Sequence, residues 1–371
     1  MTTHSCYRFS APRHRTGAVA LKPPFDEPLI TMGVGYLPLL LKDLIILSFT
    51  AGRLAAFNQI NGQERWTLSL SAPYEAALPF PGSALFNGTD LIVSDRDGLI
   101  IVDPDSGMVR ERGEVREINV KNAAPMSDGL IAAYREGNSH RVGFFLSSSP
   151  ARPVWSVSTA LPIEPISVRD NFCCFAPTLD EVVALNSDNG AELWRFPVGE
   201  LGMFTDDLGR TRKGEIASEC ILWKDLTIFG VRGNRVIALD VQSGQIRWNC
   251  PIEALTPSNL TLDASGVLHL LAPERYYRIE AATGDILTCF DVEEDIDKLS
   301  AFPLSHMDTS TTHVFCAGIS GIVFAMAQVN GKVSWTYRAE VGAPFSHYPL
   351  VDNNCLYYLD GKGVLMTFPK G

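Results

Sequence analysis

The side chains with the clearest potential for chemistry are two adjacent cysteines, Cys173 and Cys174, in the apolar stretch NFCCFAP. Two neighbouring thiols can either form a disulfide or act as small core residues. Because neighbours on a strand point to opposite faces, a bond between them would force the backbone out of strand geometry. The sequence also lacks the C-x-x-C pair of zinc sites and thioredoxin-like sites. We therefore predict that all eight cysteines are reduced and that most of them are buried.

A polar insertion is the second segment whose residue types suit a functional role. The stretch GELGMFTDDLGRTRKGE follows Trp194 and carries charges of both signs between glycines. Loops on a rigid scaffold often hold the binding residues, and arginine and aromatic side chains are frequent interface hot spots. We predict that residues 197–215 form a loop insertion that binds a partner through Phe204, Arg210, Arg212 and Lys213. A solvated loop without a partner is the alternative.

Sequence motifs of the common catalytic sites are absent. The chain has no G-x-S-x-G elbow, no H-E-x-x-H pair, no P-loop lysine and no dinucleotide-binding G-x-G-x-x-G after a strand. It also has no D-x-[DN]-x-[DN]-G calcium loop. The sequence therefore predicts no catalytic residue, no metal site and no cofactor.

The candidate residues lie on a repeat. The phrases VVALNSDNGAELW, VIALDVQSGQIRW, GRLAAFNQINGQERW and VFAMAQVNGKVSW each combine an apolar strand, a turn glycine and a tryptophan four residues later. Seven turn positions, 39 to 54 residues apart, can be aligned in this way: Gly62, Gly107, Ala151 in place of a glycine, Gly190, Gly244, Gly284 and Gly331. This period is typical of four-stranded propeller blades.

Five of the six tryptophans occupy one position of the repeat. They are Trp66, Trp155, Trp194, Trp248 and Trp335. An indole that recurs on the outer strand predicts packing between neighbouring blades, with its N–H bonded to a carbonyl oxygen. Glu111 and Thr288 stand at the same position in two other units, so we expect those two contacts to be packed differently.

The pattern A-L-D-x-x-x-G-x-x-x-W resembles the repeat of the PQQ-like (pyrroloquinoline-quinone-type) β-propellers, and the resemblance covers almost the whole chain. That family includes bacterial quinoprotein dehydrogenases and non-catalytic scaffolds such as the outer-membrane-assembly lipoprotein. The resemblance implies for the dehydrogenases a calcium ion beside a catalytic aspartate and, in some, a disulfide between adjacent cysteines against the cofactor. The sequence offers no carboxylate and amide cluster that matches such a site, so the scaffold members are more similar.

The repeat and the resemblance predict an all-β, eight-bladed β-propeller of four-stranded antiparallel blades in a single domain, residues 1–371. Seven units end on a tryptophan-type strand, and the last unit, residues 342–369, has about three strands. We expect residues 5–10 to supply its missing outer strand. The N-terminal and C-terminal strands would then pair in one sheet and leave no open edge.

A second candidate site follows from the same architecture, because the innermost strands of a propeller converge on the mouth of its central channel. Aligning the units places seven residues at the entries of these strands: Tyr36, Asn122, Glu164, Glu215, Asn259, Phe302 and His347. Aromatic, amide and carboxylate groups in a concave site suit ligand binding. A water-filled funnel without a ligand is the alternative.

Composition narrows the classes of partner. The formal net charge is −11 at pH 7 and the isoelectric point is about 5.1, which disfavours binding to nucleic acid or to an anionic membrane. The sequence shows neither a secretory signal nor a membrane span, so we expect a cytoplasmic protein. The resemblance to a family with bacterial members implies that it is bacterial. We predict a non-catalytic scaffold that binds another protein, to position or neutralise it. The alternatives are a PQQ- or metal-dependent oxidoreductase and a hydrolase or lyase that uses the channel.

Overall fold

The computed structural model describes residues 19–21, 39–49, 53–59, 63–70, 84–95, 97–115, 117–160, 165–206, 208–272, 275–291, 304–318, 322–338, 350–351, 355–359 and 365–369. The chain divides into two compact units, one formed by Glu75–Cys289 and the other by Met1–Tyr74 together with Phe290–Gly371. Regular structure in the described residues is almost entirely β-strand. The protein is an all-β β-propeller with four-stranded antiparallel blades.

Two blades belong to the unit that contains both ends of the chain. The first strand of the chain, β1 (Val19–Leu21), precedes them. Blade 1 consists of β2 (Leu39–Leu41), β3 (Leu44–Phe49), β4 (Arg53–Asn58) and β5 (Glu64–Ser69). Blade 7 consists of β29 (Leu304–Thr309), β30 (His313–Gly318), β31 (Ile322–Ala327) and β32 (Val333–Arg338).

The other compact unit holds blades 2 to 6, which lie between blades 1 and 7 in the sequence. Blade 2 has β6 (Ala84–Phe86), β7 (Leu91–Asp95), β8 (Gly98–Val102) and β9 (Val109–Glu114), and blade 3 has β10 (Asn119–Met126), β11 (Gly129–Glu136), β12 (Ser139–Leu146) and β13 (Trp155–Ser158). Blade 4 has β14 (Ser167–Arg169), β15 (Phe172–Thr178), β16 (Glu181–Asn186) and β17 (Glu192–Pro197).

Blade 5 differs because its innermost strand is interrupted. Two short strands, β20 (Glu215–Ile216) and β21 (Ile221–Trp223), both pair with β22 (Leu226–Arg232), which is followed by β23 (Arg235–Asp240) and β24 (Ile246–Pro251). Blade 6 has β25 (Leu260–Leu262), β26 (Val267–Leu271), β27 (Arg275–Glu280) and β28 (Ile286–Asp291), whose last two residues belong to the other unit.

The prediction of an eight-bladed repeat is corrected by this arrangement. Within the described residues, seven blades are built from consecutive strands, and only three strands follow blade 7: β33 (Leu350–Val351), β34 (Cys355–Leu359) and β35 (Leu365–Pro369). Each of the seven blades is built from consecutive strands, whereas these three are joined by β1 from the other end of the chain. They form instead a composite sheet of order β1-β35-β34-β33.

The strand that joins the two ends of the chain also differs from the expected one. Val19 pairs antiparallel with Thr367, and Leu21 pairs with Leu365, so β1 holds the outer position of the composite sheet. We expected residues 5–10 there, and these lie outside the described residues. Pairing of an N-terminal strand with the C-terminal strand is confirmed, but with β1 as the strand.

Burial follows the position of a strand within its blade. All five residues of β7 and of β8 are buried, whereas β5 and β17 each have one buried residue, the tryptophan, among exposed and half-buried ones. Middle strands are covered on both faces and are therefore mostly apolar, while an outer strand needs apolar residues on one face only. The core thus lies between neighbouring blades.

The turn before the outer strand has the same geometry in blades 2, 4, 5, 6 and 7. Gly244 has φ of 68° and donates its N–H to the carbonyl oxygen of Asp240 at 2.8 Å. Gly107, Gly190, Gly284 and Gly331 repeat both features, as the sequence predicted, and Gly62 lies outside the described residues. In blade 2, the N–H of Ser106 and other donors at this turn lower the pKa of Asp103 to about 2.

A β-bulge immediately before the tryptophan position accompanies this turn. In blade 4, Ala184 pairs with Trp194, whereas the next residue, Leu185, pairs with Glu192, so Leu193 has no partner of its own. Blades 1, 2, 5 and 7 show the same shift of register. Because a bulge changes where the next side chain points, it turns the residue at the tryptophan position towards the following blade.

Three of the five repeat tryptophans are seen to pack on the next blade, as predicted. The indole N–H of Trp155 donates to the carbonyl oxygen of Ser187 at 2.8 Å, that of Trp194 to Val241 at 2.8 Å and that of Trp248 to Ala281 at 3.1 Å. Each acceptor belongs to the next blade. The ring also covers the turn glycine of that blade: a Cβ added at Gly284 would lie 2.7 Å from the Trp248 ring.

Blades 2 and 6, which have no tryptophan at this position, are packed differently, as predicted. Blade 2 presents Gly113, where an added Cβ would lie 2.3 Å from the carbonyl carbon of Pro150, so the backbones of two blades meet directly. Blade 6 has Thr288 at the tryptophan position, and Phe290, two residues later, covers Gly331 of blade 7. In blade 6 a phenylalanine ring thus covers the turn glycine of blade 7, as the tryptophan ring does in blades 3, 4 and 5. The phenylalanine stands two residues after the tryptophan position of the outer strand.

Candidate protein-binding site

The polar insertion folds into an ordered element between blades 4 and 5. A short 3-10 helix (Val198–Leu201) leads into a β-hairpin of β18 (Met203–Thr205) and β19 (Thr211–Lys213). We call residues 198–214 the insertion hairpin. Its base is fixed by backbone hydrogen bonds from Gly199 N–H to the Asp180 carbonyl at 3.1 Å and from Ile216 N–H to the Leu179 carbonyl at 2.6 Å. Both acceptors lie in the turn between β15 and β16, so blade 4 supports the insertion hairpin.

Phe204 belongs to the inner side of the insertion hairpin. Its side chain is only 8% exposed, and it packs on Gly233 in the turn of blade 5, where an added Cβ would lie 3.1 Å from the Phe204 Cβ. The Arg235 guanidinium reinforces this contact by donating to the Leu201 carbonyl at 3.1 Å. Phe204 therefore anchors the insertion hairpin to its own blade, which differs from the predicted role as a partner contact.

The tip of the insertion hairpin is organised by Asp206. Its carboxylate accepts the backbone N–H groups of Leu208 at 3.0 Å and Arg210 at 2.9 Å. It also accepts the Nε groups of Arg210 at 2.8 Å and Arg212 at 2.9 Å. The backbone hydrogen bond from Arg210 is the main cause that holds the pKa of Asp206 below its usual value. Four hydrogen bonds to this one carboxylate therefore hold Leu208, Arg210 and Arg212 around Asp206.

A second carboxylate connects the insertion hairpin to blade 5. Glu215, at the start of β20, accepts hydrogen bonds from Arg212 Nη1 at 3.3 Å and from Arg232 Nη1 at 3.2 Å. Arg212 therefore bridges Asp206 and Glu215. Of the three cationic residues proposed from the sequence, Arg210 and Arg212 have structural ion pairs, and the exposed Lys213 lies opposite Met203 in the hairpin register.

Sequence reasoning missed the two exposed large apolar residues of this element. Met203 is 62% exposed and Leu208 is 74% exposed. Met203 lies on the face of the hairpin opposite to Phe204, and Leu208 lies in the tip between Asp206 and Arg210. The signal was present in the sequence, because both are large apolar residues in a segment rich in charged residues. Their exposure makes the outer face of the insertion hairpin a candidate contact surface.

The residues predicted at the channel mouth are only partly described. Glu215 belongs to the ion-pair network above, and Asn259 directly precedes β25, with its carbonyl 3.4 Å from the Leu271 N–H. Asn122 lies in β10, but its side chain is outside the described residues. The other four, Tyr36, Glu164, Phe302 and His347, also lie outside them. The ring of binding residues stays a prediction.

Cys173 and Cys174 point to opposite faces of β15, as predicted. Cys173 packs in the core between blades 3 and 4, and Cys174 packs in the core between blades 4 and 5. Both are free thiols, and burial raises the pKa of Cys173 to about 12. The two thiols therefore face two different cores between blades.

Metal-binding and membrane-spanning features were searched in the part of the chain that the structure describes. No group of three or more His, Cys, Asp or Glu side chains there is arranged to hold a metal ion. No helix in that part is long and apolar enough to span a bilayer.

Comparison with solved structures shows the same fold at low sequence identity. BamB from Moraxella catarrhalis is 16% identical with a TM-score of 0.64, over 95% of this chain and 98% of that chain. The computationally designed protein Ika8 is 11% identical with a TM-score of 0.68, over 90% and 95%. The quinohemoprotein alcohol dehydrogenase ADHIIG from Pseudomonas putida HK5 is 10% identical with a TM-score of 0.62, over 93% and 75%.

No curated protein matches the sequence. Family profiles give a direct assignment: the profile described as outer membrane protein assembly factor BamB matches residues 9–156 and 51–290. The two matches together span well over half of the chain, and they include the repeats whose turn glycines and tryptophans build the blade contacts described above. The chain therefore belongs to the PQQ-like β-propeller family that this profile defines.

Proposed function

We propose that the chain is a non-catalytic, cytoplasmic scaffold propeller that binds another protein through the insertion hairpin. The observation that carries this proposal is the pairing of a fixed backbone with exposed apolar side chains. Asp206 and Phe204 hold the hairpin in place, while Met203 and Leu208 remain exposed on it. Arg210 and Lys213 provide polar contacts beside them.

A fixed loop is well suited to recognition because binding does not have to order it. Each flexible side chain or loop segment that must be immobilised costs free energy on association. Apolar anchors surrounded by arginine and other polar groups are also the usual composition of an interface hot spot. The ion pairs of Arg210 and Arg212 with Asp206 orient the two guanidinium groups before a partner arrives.

The family supports the scaffold class without naming a partner. The matching profile is described as an assembly factor, and a structure of similar fold is a BamB. Other structures of similar fold are alcohol dehydrogenases, so the fold alone does not decide between binding and catalysis. The organisation of the insertion hairpin is what favours binding.

The test is a double substitution on the outer face, Met203→Ser with Leu208→Ser, in the full-length chain. The parent and the variant are used as baits in the source cell, and captured proteins are identified by mass spectrometry. We expect a specific partner that the variant loses, with an unchanged melting temperature, because both side chains are exposed. Met108→Ser is the matched control, since Met108 is an exposed apolar residue at the turn before β9 in blade 2.

Two results would contradict the proposal. One is capture of the same partner by the parent and the double variant in equal amount. The other is loss of the partner in Met108→Ser and not in the double variant, which would place the contact at the turns before the outer strands. A melting temperature that falls in the double variant would show that the two side chains stabilise the fold and do not serve the contact.

A further inference from the structure

A second pair of cysteines, separated by 46 positions in the sequence, meets in the core between blades 4 and 5. Cys174 lies on β15 of blade 4, and Cys220 directly precedes β21 of blade 5. Both are free thiols in the same hydrophobic cluster. Burial raises the pKa of the Cys174 thiol, and the neighbouring Cys220 thiol raises it further.

Backbone geometry brings the two cysteines together independently of the thiols. Ser167 on β14 is the direct register partner of Cys174. The Ser167 hydroxyl donates a hydrogen bond to the carbonyl oxygen of Cys220 across the blade boundary. One serine thus touches the backbone of one cysteine and pairs with the other, which fixes the two residues side by side.

The chain around Cys220 is the irregular part of blade 5. Residues 217–220 separate β20 from β21, and they interrupt the innermost strand. Their attachment to the blade includes two hydrogen bonds to Gly230, one from Ala217 N–H to its carbonyl and one from its N–H to the Ser218 hydroxyl, both 2.8 Å. A segment outside the regular strand pairing opens more easily than a strand.

We propose that Cys174 and Cys220 form a latent inter-blade disulfide that closes under oxidising conditions. The oxidant is a small-molecule disulfide such as oxidised glutathione. One cysteine thiolate attacks a sulfur of the oxidant, which forms a mixed disulfide and releases one glutathione thiolate. The second cysteine then displaces the second glutathione. The two cysteines lose two electrons and two protons, and the oxidant becomes two thiols.

Burial makes this reaction slow and conditional. Cys174 is 0% exposed and Cys220 is 4% exposed, so the oxidant reaches them only when residues 217–220 open. Burial also raises the pKa of the Cys174 thiol well above its ordinary value, and only the thiolate attacks a disulfide. The rate of closure therefore rises with pH and with any change that loosens the segment.

Closure has a defined structural effect. The disulfide would enclose the chain from Cys174 to Cys220, which includes the whole insertion hairpin. A cross-link restricts the unfolded chain and so raises the melting temperature. It would also hold residues 217–220 against blade 4, immediately after the strand β20 on which the insertion hairpin ends.

The test incubates the full-length chain in a glutathione redox buffer at pH 8.5, with alkylation of free thiols and peptide mapping. We expect the parent to lose two of its eight alkylatable thiols and to yield one peptide cross-linked between residues 174 and 220. Cys173→Ser, one residue away on the opposite face, should still form it. Ser218→Ala should form it faster, because it removes the acceptor for the Gly230 N–H.

Three outcomes would overturn the proposal. In the first, all eight thiols remain alkylatable after prolonged oxidation at pH 8.5. In the second, the mapped cross-link joins Cys173 or another cysteine. In the third, Cys220→Ser still loses two thiols to a disulfide. The peptide map of the parent decides the question even if a serine variant fails to fold.

Discussion

At the scale of the residue, the contact between an indole and a glycine defines the packing of neighbouring blades. Trp155, Trp194 and Trp248 each donate to a carbonyl oxygen of the next blade, and each ring covers that blade's turn glycine. The glycine is needed twice, once for its positive φ and once for the space that the ring occupies. The two requirements can be separated by mutation.

Gly284→Ala should destabilise the protein more than Gly137→Ala does. Both glycines have positive φ, 78° and 61°, so both variants share the backbone cost of about 1 kcal/mol. Only at Gly284 would the new Cβ meet a ring, at 2.7 Å from Trp248, whereas nothing lies within 4 Å at Gly137. Overpacking should add about 1–3 kcal/mol, measured as a difference in the free energy of unfolding in urea.

Trp248→Ala provides the internal control for this comparison. Alone it should cost about 3–5 kcal/mol, the range for removing a large buried aromatic side chain. Combined with Gly284→Ala, it should remove most of the extra cost of the alanine, because the ring is gone. Strictly additive effects of the two substitutions would show that the ring contact does not set the cost.

His269 predicts a dependence of stability on pH. It is fully buried in β26, with Nδ1 2.7 Å from the Tyr276 hydroxyl and Nε2 3.1 Å from Asp263 Oδ2. Burial lowers its pKa below the ordinary value of 6.5. As the pH falls, His269 therefore binds a proton in the unfolded chain before it does so in the folded protein. The free energy of unfolding consequently decreases from about pH 6.5 down to the pKa of His269 in the folded state.

The measurement is the free energy of unfolding of the parent and of His269→Gln between pH 8 and pH 5. The parent should lose stability below about pH 6.5, and the variant should show a smaller slope in that window, whatever its stability at pH 8. Equal slopes in the two proteins would show that His269 is not the group responsible.

At the scale of the element, β1 has the most testable role. It covers the edge of β35 in the composite sheet through the pairs Val19–Thr367, Ala20–Met366 and Leu21–Leu365. Replacing all three β1 residues with proline removes their N–H donors and should break this pairing. We expect faster amide exchange in β35 and concentration-dependent association, because an uncovered strand edge pairs with other chains.

Hydrogen exchange with mass spectrometry and light scattering check this prediction. Ala20→Ser is the control, since serine keeps the backbone donor. If β35 stays equally protected in the proline variant, β1 does not contribute to the sheet in solution. Exchange in blade 4 serves as a reference within the same sample.

The sequence predicted the repeating elements well because each carries its own local signal. Asn189-Gly190 and Ser243-Gly244 mark turns, and the tryptophan four residues later marks the outer strand. The composite sheet was predicted less well, because VAL at residues 19–21 is three residues long and carries no turn or aromatic signal. Its role depends on a partner strand more than 340 positions away, which local patterns do not report.

The insertion hairpin shows the same limit. The sequence predicted a loop insertion between Trp194 and blade 5, where the structure has a hairpin, and it assigned Phe204 to the partner contact. The choice between Phe204 and Met203 depends on a one-residue alternation in β18, and a three-residue strand is too short to show a periodic pattern. The Gly233 surface that accepts Phe204 comes from the turn between β22 and β23.

At the scale of the whole molecule, the net charge governs solution behaviour. The formal charge of −11 at pH 7 and the isoelectric point near 5.1 predict that solubility falls to a minimum close to pH 5, where repulsion between molecules vanishes. Turbidity between pH 4 and pH 8 tests this.

A gel-shift assay with duplex DNA at low salt should show no retardation, and stable binding would contradict the charge argument.

The direction of the indole hydrogen bonds also has a consequence for folding during synthesis on the ribosome. Blades 3, 4 and 5 each end in a tryptophan whose carbonyl acceptor lies in the blade that follows. Each of these tryptophans therefore leaves the ribosome before the residue whose carbonyl accepts its hydrogen bond has been synthesised. The indole ring stays uncovered until the next blade is complete. We expect nascent chains that stop after Trp194 or Trp248 to keep their last blade sensitive to protease, and to lose that sensitivity once about 45 further residues have emerged, the length of one repeat.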